Sequence, residues 1–340
     1  MRAIQIIAKG APEKAFKEVT LETPEPGGDE VLIKVSHFGL NFADVMMRKG
    51  LYQAAPPIPY VPGYDVVGEV VKTGAAVEKV WVGKQVFALT RFGGYAEYAV
   101  TKAAGIGAVP KGMDPAAATA LATQFSTALF CYKQCPNLRK GDQVLVHAAA
   151  GGVGIGLCQL ALHDGLTAFG TAGSEEKLEF LKELGVQHPI NYRTSDYKEE
   201  VLKITGKPAL SASFNSIGGR SYRKDRKLLT TGGQHILFGG ADRSSMNLGP
   251  LSTLAFVQRM GLLIPIALMM KSQGITGVNM LHIGDHRPDL LAECMQEVGR
   301  LAGEGVLTPH VHGVYSLNEL NAAHLDLEKR KTIGKLVVTW

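Results

Sequence analysis

The 340-residue chain has only four cysteines, Cys131, Cys135, Cys158 and Cys294, and no pair of CxxC motifs. That pattern argues against a zinc ribbon. Cys131 and Cys135 stand one helical turn apart in an apolar segment, so buried free thiols in a reducing compartment are expected. No apolar run is long enough to span a bilayer. The longest strongly apolar piece, "GLLIPIALMM" at 261–270, is expected at a domain or dimer interface instead. The opening "MRAIQIIAKG" carries neither a secretory h-region nor a cleavage site, and a cytoplasmic location is expected. A strong basic patch is also missing. The net charge of +5 is spread along the chain, and its densest stretch, "RSYRKDRK" at 220–227, reads as a solvated helix face. Nucleic acid is therefore not an expected partner. His310 and His312 share a strand face without a third ligand, as do His282 and His286 at their own spacing, so no metal site is expected. There is no internal repeat and no low-complexity segment.

Hydrophobic residues make up 46% of the chain and charged residues 20%, enough for ordinary cores. The length suggests two domains. The first 110 residues are β-rich: "MRAIQII", "EVLIKVSHFGL", "YDVVGEVVKTG" and "WVGKQVFAL" are β-branched runs broken by glycine and proline. Near residue 114 the pattern changes. "DPAAATALATQFSTALFCYK" reads as a helix with Asp114 as N-cap and Pro115 at its first position. Strand and helix then alternate, which predicts an α/β fold with a Rossmann-type doubly wound parallel sheet. The tail returns to strand, helix and strand and is too short to stand alone. The expected division is a first domain over 1–124, completed by 285–340, and a nucleotide domain over 125–284.

The strongest motif is "QVLVHAAAGGVGIGLCQLA". An apolar strand leads into small residues, Gly151, Gly152, Val153 and Gly154 among them, and a helix follows at once. Small residues let the backbone approach a pyrophosphate, and the helix N-terminus supplies free N–H groups and a positive dipole end. Strand before and helix after are the context that a dinucleotide loop requires. The next strand, "TAFGTAG", lacks the terminal acid of an NAD site. It ends at Gly173 and Ser174, followed by Glu175, Glu176 and Lys177. Small residues leave room for a 2′-phosphate, Lys177 offers charge, and Tyr192 or Arg193 of "INYR" can pack on or bond to it. NADPH is expected over NADH. A Glu175 turned inward would weaken that preference.

"GLNFADVMMRKGLY", "PGYDVVGEVVKTG", "GGYAEY", "VLVHAAAGGVG", "GTAGSEEK" and "INYR" together resemble the zinc-independent quinone oxidoreductase branch of the medium-chain dehydrogenase/reductase superfamily. Within it, "NFADVMMRKGLY", "HPINYRTSDY" and "RKTIGKLVV" are similar to vesicle amine transport protein homologues. The resemblance covers nearly the whole chain, most loosely between residues 241 and 280. It implies a GroES-like β-rich catalytic domain beside the Rossmann domain. It also implies a homodimer formed edge to edge, with "GITGVNML" as the edge strand. Zinc-dependent relatives carry a cysteine where this chain has Asn41, and a histidine–glutamate pair where it has Tyr64 and Asp65. The cysteine-rich structural zinc loop is missing too.

A zinc-free hydride transfer to a quinone or α,β-unsaturated carbonyl needs orientation and a donor for the acceptor oxygen. Asn41 offers an amide donor, to the nicotinamide end or to the acceptor. Tyr52 is a phenol expected near its ordinary pKa, able to donate a hydrogen bond and a proton. Water is the alternative proton source. Asp44 is read as a helix cap. Carried over by resemblance, Thr127 closes the nicotinamide pocket, Phe238 and Gly239 line the cofactor, Asn279 approaches the nicotinamide, and Lys331 or Lys335 meets the 2′-phosphate. Two alternatives remain: an NADPH-binding protein that associates with vesicles, membranes or partner proteins, and a thioester enoyl reductase.

Overall fold

Valine- and isoleucine-rich runs become strands wherever neighbours cover both faces. The computed structural model describes residues 1–242 and 251–340. It divides into two units, Met1–Ser126 with Met280–Trp340, and Thr127–Asn279.

The first unit opens with a two-stranded ribbon, β1 (Arg2–Ile6) against β2 (Phe16–Thr20). A larger sheet is built on the long β3 (Glu30–Leu40), with β4 (Asp65–Thr73), β5 (Gln85–Leu89), β6 (Tyr98–Lys102) and β7 (Ile106–Ala108). Antiparallel pairing joins β3 to β4 and β6, β4 to β5, and β5 to β7. The core is aliphatic with one aromatic column: Val31, Ile33, Phe38, Val66, Val86 and Tyr95 are buried. Helical chain runs over residues 115–133, and the division between the units falls within it. Asp114 caps it, its Oδ1 accepting from Ala116 N–H at 3.0 Å, and Pro115 stands at the first position. A π-helical segment interrupts it over Leu121–Phe125.

The second unit contains β8 (Gln143–Val146), β9 (Thr167–Ala172), β10 (His188–Asn191), β11 (Leu210–Asn215), β12 (Leu229–Leu237) and β13 (Gly274–Gly277). Their spatial order is β10-β9-β8-β11-β12-β13, with every pairing parallel. This is the doubly wound arrangement, and the order reverses between β8 and β11. Central strands of such a sheet are covered on both faces and read as continuous apolar runs. Val144, Leu145 and Val146 are accordingly fully buried. Helix boundaries follow local chemistry. Asp196 Oδ1 accepts from Lys198 N–H to start Tyr197–Thr205, and Gly206, at φ 70°, stops it in the left-handed region.

The tail supplies β14 (Val311–Ser316), the Leu320–Glu328 helix and β15 (Lys335–Thr339). β15 pairs antiparallel with β3 and returns to the first unit's sheet. All four cysteines are buried, and none is in a disulfide. Among the described residues no helix is long and apolar enough to cross a membrane.

Candidate functional site

In the second unit, β8 ends at Val146 and the Gly152–His163 helix begins with Gly151 as its N-cap. The turn between them is tight. Ala148 takes a positive φ of 49°, and Gly151 N–H donates to Ala148 O at 2.8 Å. A Cβ on Gly154 would collide with the Ala148–Ala149 backbone, and one on Gly151 would stand 3.2 Å from Ala148 O. These glycines let the helix start directly on the strand end. The first-turn N–H groups of any helix lack carbonyl partners within it. Here that first turn contains Gly152 and Gly154, whose backbone carries no side chain, so the turn fits a pyrophosphate.

The end of β9 carries the next candidates. Ser174 is the N-cap of the Glu175–Glu183 helix, and Lys177 stands in that helix. A Cβ on Gly173 would lie 2.7 Å from the Tyr192 hydroxyl and 3.1 Å from Arg193 Nε. The structure therefore brings Gly173, Ser174, Tyr192 and Arg193 together. Glu175 Oε1 accepts from Asn191 Nδ2 at 3.0 Å, which ties its carboxylate to the end of β10. Phe238 and Gly239 follow β12, where Phe238 N–H donates to Asn215 O at 3.1 Å. Asn279 closes the unit on an exposed turn after β13, and Thr127, buried, opens it.

The polar corner of the first unit is built from three strand ends. Gly39 of β3 pairs with Asp65, the first residue of β4, and Leu40 pairs with Leu336 of β15. Asn41, Asp65 and Lys335 meet there, at 7%, 0% and 0% exposure. Asn41 Nδ2 donates to Asp65 Oδ2 at 2.6 Å, and Lys335 Nζ donates to Asn41 Oδ1 at 3.0 Å and to Asp65 Oδ2. An ammonium only donates and a carboxylate only accepts, so this network fixes which way the Asn41 amide faces. Among the described residues, one amide hydrogen of Asn41 remains to be used. A Cβ on Gly39 would strike the Lys335 side chain, so glycine there admits the lysine stem.

Asn41 is the N-cap of the Phe42–Arg48 helix. Its backbone N–H donates to Asp44 Oδ2 at 2.7 Å, the carboxylate half of a capping box. Its side chain is diverted to Asp65 and Lys335. Asp44 is fully buried. Burial raises its carboxyl to about 7; the Asn41 backbone hydrogen bond opposes this and the Asp65 charge adds to it. Tyr52 packs on Tyr64, ring centroids 6.2 Å apart.

Three expectations need correction. Lys335 does not stand free for a 2′-phosphate: its ammonium is fully buried on Asp65 and Asn41, because a lysine that starts an interior strand needs a carboxylate beside it. Lys331, by contrast, is exposed. Tyr52 is not at its ordinary pKa. Burial raises it, the hydrogen bond with Tyr64 working the other way. The basic stretch 220–227 is not wholly a solvated face. Lys224 pairs with Asp196 at 2.7 Å, and Arg223, Arg226 and Lys227 line a 420 Å³ surface groove with Lys271, yet Tyr222 and Asp225 are buried.

Sequence reasoning missed two things: the Asp65–Lys335 pair, and a cluster around Asp225. Tyr197 OH donates to Asp225 Oδ1 at 2.7 Å; Ser213 Oγ and Asn215 Nδ2 donate to Oδ2 at 2.7 and 2.6 Å; His147 Nε2 lies 3.0 Å from both oxygens. Burial opposes the charge of Asp225, but His147, His235 and these hydrogen bonds outweigh it and hold the carboxyl at about 2. The signals were a histidine ending an apolar strand and a lone acid within a basic run.

A glycine cradle at the reversal point of a doubly wound sheet, in a chain that also carries a β-rich unit completed by its C-terminal tail, defines a two-domain dinucleotide-dependent dehydrogenase or reductase. Residues 27–111 match the alcohol dehydrogenase GroES-like domain family, and residues 152–293 the zinc-binding dehydrogenase family. A synaptic vesicle membrane protein VAT-1 homolog from Danio rerio is 34% identical, covering 99% of this chain and 70% of that protein. A quinone oxidoreductase from Rattus norvegicus is 30% identical, covering 99% and 97%. The structure of Escherichia coli quinone oxidoreductase complexed with NADPH is 26% identical and covers 100% of both chains with a TM-score of 0.85. The chain belongs to the quinone oxidoreductase branch of the medium-chain dehydrogenase/reductase superfamily.

Proposed function

We propose that this chain is a zinc-independent, NADPH-dependent oxidoreductase that reduces a quinone or an α,β-unsaturated carbonyl. The observation that carries the reading is the glycine turn at the sheet's reversal point, where a Cβ on Gly154 would collide with the Ala148–Ala149 backbone, so that glycine lets the helix start against that turn. NADPH, when bound, supplies the hydride. The backbone over Gly151–Gly154 binds its pyrophosphate. Ser174, Lys177 and Tyr192 hold the 2′-phosphate. Thr127, Phe238, Gly239 and Asn279 serve the nicotinamide end.

Asn41, locked by Asp65 and Lys335, presents its remaining amide hydrogen in a fixed direction. Tyr52, with its raised pKa, stays protonated at neutral pH and donates to the acceptor oxygen as charge develops there. The proton that completes the hydroquinone or the ketone comes from Tyr52 or from water. The zinc-free reading rests on residue chemistry. Asn41 and Asp65 already bind an ammonium, Tyr64 is a phenol, and among the described residues no group of three or more His, Cys, Asp or Glu can hold a metal ion.

The test is NADPH oxidation against a panel of ortho- and para-quinones and short enones. Consumption with at least one acceptor is expected; NADPH binding with no consumption at saturating cofactor sinks the reductase reading. Tyr52→Phe assigns the proton. A fall in kcat on the order of 10² marks a general acid, and an unchanged kcat leaves the step to water. Lys177→Ala and Tyr192→Ala should weaken NADPH more than NADH.

A homodimer through the β13 edge belongs to the same proposal. β13 is the outer strand of its sheet, and nearby chain exposes Leu254, Leu262, Met269 and Met270 at 68%, 89%, 73% and 82%. Exposed apolar surface of this kind marks an interface. Light scattering should show a dimer, and Leu262→Lys with Met270→Lys should yield monomer.

A further inference from the structure

The reversal point of the second unit's sheet lies between β8 and β11. The residues that leave those strand ends both lead to one buried carboxylate. His147 follows β8 and touches Asp225 through Nε2 at 3.0 Å. Asn215 ends β11 and donates its Nδ2 to Asp225 at 2.6 Å. Asp225 lies 78 residues from His147 and 10 from Asn215, at the end of the Arg220–Asp225 helix, and is fully buried.

Each contact is passed on to a loop backbone. An acceptor-only carboxylate places a proton on His147 Nε2, which in the neutral ring leaves Nδ1 as an acceptor. Nδ1 lies 3.2 Å from the Thr171 hydroxyl. A hydroxyl that donates to Nδ1 turns its lone pairs away, and Ala148 N–H donates to that oxygen at 3.3 Å. Thr171 also binds the next residue, accepting from Ala149 N–H through its carbonyl at 3.0 Å. The turn is thus held from β9 at two successive residues, the strained Ala148 by the Thr171 side chain and Ala149 by the Thr171 carbonyl. On the other branch, Asn215 Oδ1 accepts from Ile217 N–H at 2.9 Å and Gly218 N–H at 2.8 Å. With its Nδ2 committed to Asp225, the amide can face only one way.

We infer that Asp225 is a positioning residue for the dinucleotide site: through His147 and Thr171 it orients the phosphate cradle, and through Asn215 it orients the loop after β11. The inference rests on the dinucleotide reading of the cradle. It assigns Asp225, His147 and Thr171 no contact with the cofactor or with reacting atoms. Their task is to settle the direction of each hydrogen bond before the anion arrives, so that binding does not have to order the loop.

Thr171→Val and Thr171→Ser test it, since valine matches threonine in shape and serine keeps the hydroxyl. NADPH affinity is read by nucleotide fluorescence, and steady-state rates with a quinone supply kcat and KM. Thr171→Val should weaken NADPH binding about fivefold to tenfold, the effect of one hydrogen bond, with kcat at saturating NADPH within about twofold of wild type. Thr171→Ser should restore wild-type affinity. Asp225→Asn should weaken NADPH at least as much and remove the His147 Nε2–H signal from the proton NMR spectrum. A folded Thr171→Val with wild-type NADPH affinity overturns the inference, as does a Thr171→Ser as weak as valine. If wild-type protein itself binds no NADPH, the dinucleotide reading falls first and takes the inference with it. Wild-type binding without quinone reduction would remove only the proposed reaction.

Discussion

In the first unit a fully buried carboxylate, Asp65, faces a lysine ammonium. In the second a fully buried carboxylate, Asp225, faces a tyrosine, a serine, an asparagine and a histidine. Both solve the same problem, because an isolated charge cannot stay buried. The means differ. Lys335 answers charge with charge, and its ammonium also holds the Asn41 amide. The donors around Asp225 answer with direction: Tyr197 stands on the Tyr197–Thr205 helix, Ser213 and Asn215 on β11, and His147 just after β8. One network therefore orients a single side chain, while the other orients backbone on two loops. A charge pair does not ask much of angle, whereas hydrogen bonds weaken steeply off line.

The comparison can be broken at its strongest point first. Lys335→Met leaves Asp65 buried and unpaired, and a loss of about 3–5 kcal/mol is expected. Both tryptophans, Trp81 and Trp340, lie in the first unit, so their fluorescence in urea reports that unit. Adding Asp65→Asn should recover most of the loss. If Lys335→Met alone costs under about 1 kcal/mol, the pair is not holding the corner.

A second test uses pH. The Asp44 carboxyl is raised to about 7 against 3.8 for the free group. Between those values the folded chain keeps a proton that the unfolded chain has released. Its contribution is full below about pH 4 and is lost as pH rises through 7, with a slope of up to about 1.4 kcal/mol per pH unit. In the second unit the signs reverse. Asp225 is lowered to about 2, and His235 to about 4 by burial, so stability there falls as pH drops from 6.5 towards 2. His324, lowered by burial to about 3 in the first unit, also works against Asp44. The quantity to measure is therefore wild type minus Asp44→Asn by tryptophan fluorescence. That difference should decline from pH 4 to 7; a flat difference would mean Asp44 is ionised throughout.

The smallest effect is expected at Ser213. Ser213→Ala removes one donor from Asp225 and leaves the other contacts, so about 1.5 kcal/mol is expected. Hydrogen exchange in β8 and β11 would record it. A loss as large as that of Lys335→Met would show that the cluster cannot share its charge among the remaining donors.

Much of the fold was legible because its signals are local. The apolar run of β8 followed by Gly151–Gly154 reads as strand, loop and helix without reference to anything distant. Asp114 and Pro115 mark a helix start in the same way. The candidate site was legible only in part. Asn41 and Tyr52 came from the family pattern, and Asp44 from turn chemistry. Lys335 was misread because the resemblance alone placed it at the 2′-phosphate. Its partner lies 270 residues away and is brought close only by the β3–β4 and β3–β15 registers. Asp225 was hidden for a related reason: among Arg220, Arg223, Lys224, Arg226 and Lys227, one acid looks like part of a mixed surface.

By itself the sequence determined the alternation of strands and helices, the glycine cradle, and the non-metal residue types at Asn41, Tyr64 and Asp65. These follow from periodicity, small side chains and side-chain chemistry, each a property of a few neighbouring residues. Tertiary structure alone decided which charges are buried and who faces them. Burial depends on strands paired across hundreds of residues, and a carboxylate such as Asp65 or Asp225 acquires its partners and its task only when those strands meet.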